Sequence, residues 1–174
     1  MIRIIGKYYK PDVLCAHDDY GSNNKLMMSV DLWREFYKEP LRRLIEETHK
    51  QGMIYEHHSC GYIAPLFDER VELGIDAIDP LQITNPIREL KDKYQDRVTF
   101  VGGYDNQGVY DKVGVTEAEI REETRRVLEE LAPGSSAVIE LNGNTDVPEM
   151  VFAAMVKKSL TVEFSLDSTK SWVA

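Results

Sequence analysis

Strand-like apolar runs alternate with amphipathic helical runs along this chain, with strand starts near residues 13, 53, 75, 98 and 137. That alternation constrains the fold more than any single motif. Successive βα units bury both faces of their strands by lining the strands up in parallel and wrapping helices around them. Asp12-Val13-Leu14-Cys15-Ala16-His17 reads as the first strand and opens into Asp18-Asp19-Tyr20-Gly21. A helix is expected from about Val30, with Ser29 as its N-cap and Gly52 as its end. Pro40 lies inside it and predicts a kink or two abutting helices. The second strand, Gly52-Met53-Ile54-Tyr55-Glu56, runs into His57-His58-Ser59-Cys60-Gly61.

A helix around Leu66 to Leu73 stops at Gly74, and Ile75-Asp76-Ala77-Ile78 is a short third strand that ends at Asp79-Pro80. Asn85-Pro86 reads as a helix start, with Asn85 as the cap. Val98 to Val101 is a fourth strand, followed by Gly102-Gly103, where tight strand-to-loop geometry is the better reading than a phosphate cradle. Thr116-Glu117-Ala118-Glu119 is a capping box. Ala137 to Leu141 is the fifth strand, ending in Asn142-Gly143-Asn144; Asp146-Val147-Pro148 opens a last helix, and the tail from Leu160 alternates weakly. A closed (β/α)₈ barrel takes about 250 residues. At 174 residues, this chain is therefore a compact open α/β sheet or part of a barrel, and it shows no internal domain boundary.

Composition excludes several functions. With 43% hydrophobic and 29% charged residues, the chain has the make-up of an ordinary globular protein. A net charge of −9 is a poor match to a phosphate backbone, so nucleic acid is not an expected partner. No apolar stretch approaches the ~20 residues a membrane span needs. Met1 to Gly6 is too short to read as a signal peptide. Two cysteines, Cys15 and Cys60, do not make a disulfide framework, and a reducing, cytoplasmic setting is expected.

Polar side chains that can bind metal gather at the carboxyl end of the second strand. Side chains at i and i+2 share one face of a strand, so Glu56, His58 and Cys60 are expected to point the same way. An imidazole and a thiol on one face can both reach a soft cation such as zinc. In barrels that end of the strand carries the chemistry. His57 should face away. His17 and His49 read as structural, Cys15 as core, and the charged run from Glu117 to Glu130 as a solvated helix face.

Several of these segments, in this order, resemble a known superfamily. They are Asp18-Asp19-Tyr20-Gly21-Ser22-Asn23, Met28-Ser29-Val30-Asp31-Leu32-Trp33, His58-Ser59-Cys60-Gly61, Glu72-Leu73-Gly74-Ile75-Asp76-Ala77, Val101-Gly102-Gly103-Tyr104-Asp105, Thr116 to Arg121, and Asp146 to Met150. Over roughly residues 10 to 157 the chain looks like the carboxyl-terminal half of the uroporphyrinogen decarboxylase and cobamide-dependent methyltransferase superfamily. The resemblance implies a partial (β/α)₈ barrel of about five βα units whose first strands are missing. Decarboxylases of this superfamily bind a tetrapyrrole and need no metal. The methyltransferase branch binds zinc through the His and Cys of a His-x-Cys motif and a later Cys, and moves a methyl group from a methyl-corrinoid to a thiol such as coenzyme M.

The resemblance therefore implies His58 and Asp19 as catalytic residues and His58 and Cys60 as zinc ligands. Asp18, Asp105 and Asn142 are the expected substrate contacts, although Asp18, Asp19 and Asp105 equally suit capping of loop backbone. This chain departs from the pattern at the later cysteine. The fifth strand ends in Glu140 and Asn142 with no thiol, so Glu140 or Glu56 supplies an oxygen instead, or His57 substitutes despite facing away from His58, or zinc binds weakly or not at all. The strand-end loops hold Asp, Asn, Gln and His but no Arg, which argues against a polycarboxylate substrate. A tetrapyrrole decarboxylase and an inactive barrel fragment are the alternatives. Expected partners are a small thiol or tetrapyrrole-type ligand, a corrinoid protein, and a second copy or missing half-barrel that covers the open sheet edges.

Overall fold

The computed structural model describes residues 1–94, 96–109, 112–131 and 137–138. In chain order the elements are α1 (Ile2–Tyr8), β1 (Val13–His17), α2 (Val30–Trp33), α3 (Glu39–Lys50), β2 (Ile54–His58), α4 (Phe67–Glu72), β3 (Ala77–Leu81), α5 (Ile87–Tyr94), β4 (Thr99–Gly102), α6 (Glu117–Leu131) and β5 (Ala137–Val138). The strands form one sheet in the order β1-β2-β3-β4-β5, and every neighbouring pair is parallel. Each strand lies beside the next in sequence, as successive βα units of a barrel do. The expected partial barrel is what folds.

The helix signals act where the sequence places them. The Ser29 hydroxyl accepts from Leu32 N at 3.1 Å. Thr116 and Glu119 form the reciprocal box, with Thr116 N donating to Glu119 Oε2 at 2.8 Å and Glu119 N donating to Thr116 Oγ1 at 3.3 Å. Pro40 has a subtler outcome than a kink. The helix passes from α2 through a π turn at Arg34–Lys38 into α3, with Pro40 in the first turn of α3. A proline lacks the N–H that would bond four residues back and its ring crowds that carbonyl. The wider turn absorbs both problems within one continuous rod. Leu41, Ile45 and Thr48 then face the sheet from α3.

Three sequence expectations are corrected. Asn85 does not cap α5; its Oδ1 accepts from Ile63 N at 2.8 Å and its Nδ2 donates to Gly61 O at 2.9 Å, so it holds the loop after β2. The third strand begins at Ala77 and runs through Pro80 to Leu81, with the register to β4 shifting between Ile78 and Leu81. Cys15 is exposed, because β1 lies at the edge of the described sheet and Cys15 is on the face turned away from the helices. His49 is structural as expected: its Nε2 lies 2.7 Å from Asp76 Oδ2, which also accepts from Tyr55 N. Gly102 and Gly103 both have positive φ, at 99° and 91°, as tight strand-to-loop geometry requires. The run from Glu117 carries pairs such as Arg121–Glu117 and Arg126–Glu130 on α6. Glu123, however, is buried, accepting from Asp105 N.

The core lies between the sheet and its helices. Trp33, Leu41, Ile45, Tyr55, Phe67, Ile78, Phe100, Ile120, Val127 and Leu131 belong to it, and the Phe67 ring stacks on Tyr94 and Phe100. Along β2 the helix-facing residues Tyr55 and His57 are fully buried, while Ile54, Glu56 and His58 face the opposite side. Among the described residues no helix is long and apolar enough to cross a membrane.

His57 has a consequence for acid stability. Its Nδ1 accepts from Nε of the fully buried Arg70 at 3.2 Å, and the Tyr20 and Tyr55 rings lie beside it. Burial first, then the charges of Arg70, His58 and His17, lowers the His57 pKa to about 2. In the unfolded chain the ring titrates near its ordinary ~6.5. Below that pH the unfolded state gains a proton that the folded state refuses. The stabilisation is therefore complete above about pH 6.5 and is lost as pH falls toward 2. In His57→Gln the amide oxygen still accepts from Arg70 but does not titrate. Urea unfolding followed by circular dichroism should show the variant losing about 1 kcal/mol less stability per pH unit than the parent between about pH 6 and 4. Parallel pH profiles would refute the assignment.

Candidate metal centre at the strand ends

The parallel register sets the site. His17 of β1 pairs with His58 of β2, and His58 pairs with Asp79 of β3, so three polar side chains stand in one row at the carboxyl ends of the strands. The His17 and His58 rings stack with centroids 4.0 Å apart and planes 11° apart. On its other flank His58 Nδ1 lies 2.7 Å from Asp79 Oδ2, with only 6% of Asp79 exposed. An ionised carboxylate only accepts, so this contact assigns the proton to Nδ1 and leaves the Nε2 lone pair outward. Cys60 Sγ sits 3.4 Å from that Nε2.

Two loops deliver the remaining groups. Asp18 N donates to His58 O at 3.0 Å, Tyr20 N to Ser59 Oγ at 3.1 Å, and Tyr62 N to Ser22 O at 2.7 Å, clamping the loop after β1 onto the loop after β2. Gly61 makes the close approach feasible. Its φ is +80°, and a Cβ there would lie 2.5 Å from the carbonyl carbon of Gly21. Gln82 Oε1 accepts from Gly61 N on the far side. The clamp places the Asp19 carboxylate at the thiol: Asp19 Oδ1 accepts from Cys60 N at 2.8 Å, which leaves its second oxygen for another partner. Ligand atoms of Asp19, His58 and Cys60 all lie within 4.8 Å of one another.

The electrostatics of this rim are one-sided. Among the described residues no lysine or arginine pairs with Asp18, Asp19 or Glu56. Burial and then the charges of Asp19 and Asp79 raise the Cys60 thiol pKa. Burial, with repulsion from Asp19, raises that of Asp18, against a hydrogen bond from Tyr20. Cys15, only partly covered at the sheet edge, is raised as well, by that partial burial and then by hydrogen bonding to Glu56. In each case burial is the larger cause and neighbouring carboxylates add to it.

Of the residues singled out from the sequence, His58, Cys60 and Asp19 are brought together. Glu56 faces the same side but gathers with Cys15 and Asp79 instead. Asp105 turns back on its own loop, where Oδ2 accepts from Val109 N at 3.3 Å. Glu140 and Asn142 lie outside the described residues. Sequence reasoning missed Asp79 as the partner of His58. The signal for it was present as an acidic residue at the end of the adjacent strand. Two surface grooves, one lined by Arg3, Arg43 and Glu47 and another by Ile87, Arg88 and Glu130, contain none of these side chains.

Comparison with known proteins agrees with the fold. No curated protein sequence matches the chain. Among solved structures it is similar to a methyltransferase from Methanosarcina mazei, with a TM-score of 0.67 at 19% identity. The alignment covers 88% of this chain and 42% of that one, so the chain spans less than half the length of this neighbour. The family model for uroporphyrinogen decarboxylase (URO-D) matches residues 9–156. With most of its length accounted for in this way, the chain belongs to the uroporphyrinogen decarboxylase family.

Proposed function

We propose that this chain carries the metal-binding side of a zinc-dependent methyltransferase barrel, moving a methyl group from a methyl-corrinoid to a thiol. The observation that carries the reading is the convergence of Asp19, His58 and Cys60 donor atoms within 4.8 Å. A thiolate, an imidazole nitrogen and a carboxylate oxygen are the donor types that zinc accepts, and three protein ligands leave a fourth position open. Asp19 would take the place of the second cysteine that the fifth strand lacks. That no lysine or arginine pairs with Asp18 or Asp19 among the described residues supports a cation there.

When bound, the zinc lowers the pKa of an acceptor thiol so that it reaches the methyl group as a thiolate. The chain's own residues do the rest. Asp79 fixes the His58 tautomer and ring plane, as carboxylates behind metal-bound histidines do. Cys60 gives up a proton on ligation, so zinc uptake releases protons and weakens in acid. Asp19 joins the two loops through Cys60 N while offering its other oxygen. An acidic rim of this kind disfavours a substrate rich in carboxylates, which argues against tetrapyrrole decarboxylation.

Elemental analysis of the purified protein tests the reading directly. One zinc per chain is expected, falling below one tenth in Cys60→Ala and Asp19→Asn while far-ultraviolet circular dichroism is unchanged. A folded parent protein that takes up no zinc from micromolar solution would sink the proposal. Asp79→Asn keeps the shape of the side chain but loses the charge behind the imidazole. Competition with a chromogenic chelator should show its zinc affinity reduced about 10- to 100-fold. An affinity equal to that of the parent would remove Asp79 from the centre.

A further inference from the structure

On the opposite face of the sheet from the metal rim, between β2 and the helices, a positive charge is sealed in without a counter-charge. Arg70, His57 and Tyr55 are each 0% exposed, and Tyr20 is 2% exposed. A guanidinium only donates. Its Nε–H is used on His57 Nδ1 at 3.2 Å, and Nη1 and Nη2 have no hydrogen-bond partner among the described residues. Because His57 Nδ1 accepts, the ring carries its proton on Nε2, which is also buried and unpartnered. The Tyr55 hydroxyl is in the same state. Among the described residues, the groups acting electrostatically on Arg70 are the phenols of Tyr20 and Tyr55, with no carboxylate among them; Asp18 acts on those two phenols and is not among the groups acting on the guanidinium.

An unpaired ion in such a setting costs several kcal/mol, so the charge calls for an occupant. A water molecule would accept from these donors but bring two protons of its own into a cluster dominated by donors, and it would leave the charge uncancelled. From the unpartnered N–H groups of Arg70 and His57 and the Tyr55 hydroxyl, all fully buried, we infer that this cluster binds a small monatomic anion of the halide class. The anion accepts from several donors at once and neutralises the guanidinium.

Crystals of the chain grown in sodium bromide test this at the bromine absorption edge. An anomalous peak within hydrogen-bonding reach of Arg70 Nη and His57 Nε2 is expected, and it should be absent in Arg70→Met, which retains the apolar stem. In solution the melting temperature should rise saturably when sodium gluconate is replaced by sodium chloride, with the rise lost in Arg70→Met. Tyr55→Phe removes a single donor and should need several-fold more halide for the same rise. Should Arg70→Met fail to fold, the parent peak and the Tyr55→Phe shift still decide. Ordered water beside Arg70 with no anomalous signal overturns the inference, and so does a halide response that is equal in the parent and Tyr55→Phe.

Discussion

The parallel pairing of β1, β2 and β3 is the constraint on which the functional reading depends. It sets His17, His58 and Asp79 side by side, and a slip of one residue in β2 would exchange His58 for His57 and turn its ring into the core. The register is itself protected by burial. Tyr55 and His57 cannot leave the helix-facing layer without exposing the residues packed on them, so the core holds the polar row in place. Adjacent histidines on one strand thus have opposite environments and opposite tasks. One stays neutral beside a buried arginine, and the other faces a thiol.

Much of this was legible in the residues. Alternating apolar runs gave the βα order, and period-two geometry separated His57 from His58 and put His58 with Cys60. The cap at Ser29 and the box at Thr116 depend on contacts three residues apart, which a linear reading captures well. Asp79 was harder to place. Its role depends on which strand lies next to β2 and in which register, and Asp79-Pro80 reads locally as the end of a strand. Asn85 was misread for a related reason. Asparagine before proline is a strong local helix signal, but the open backbone groups of the loop after β2 compete for the same amide and win. Cys15 looked like core because its strand is apolar. That reading presumes a covered sheet face, and the described sheet leaves that face open.

In the proposed centre the third ligand also depends on long-range geometry. Glu56 and Glu140 were reasonable oxygen donors on strand arithmetic. The proposed ligand Asp19 comes from a loop, brought beside Cys60 by a close backbone approach between Gly21 and Gly61 that no periodicity reveals, while Glu140 lies outside the described residues. Loops of this kind carry site residues in barrels because the strands beneath them are rigid.

The π turn ahead of Pro40 also fixes the rotational phase of the long helical rod. Trp33 and Leu41 are both buried. In an unbroken α-helix, eight steps of about 100° would leave them roughly 80° apart around the axis. The wider turn absorbs one residue, so the pair is separated by about seven effective steps and realigned to within roughly 20°. The turn therefore acts as a phase corrector that lets a tryptophan before the proline and a leucine after it meet the same sheet. A one-residue deletion between Arg34 and Lys38 would restore an unbroken α-helix with seven ordinary steps between the pair, keeping both on the buried face while bringing Pro40 into conflict with a regular turn.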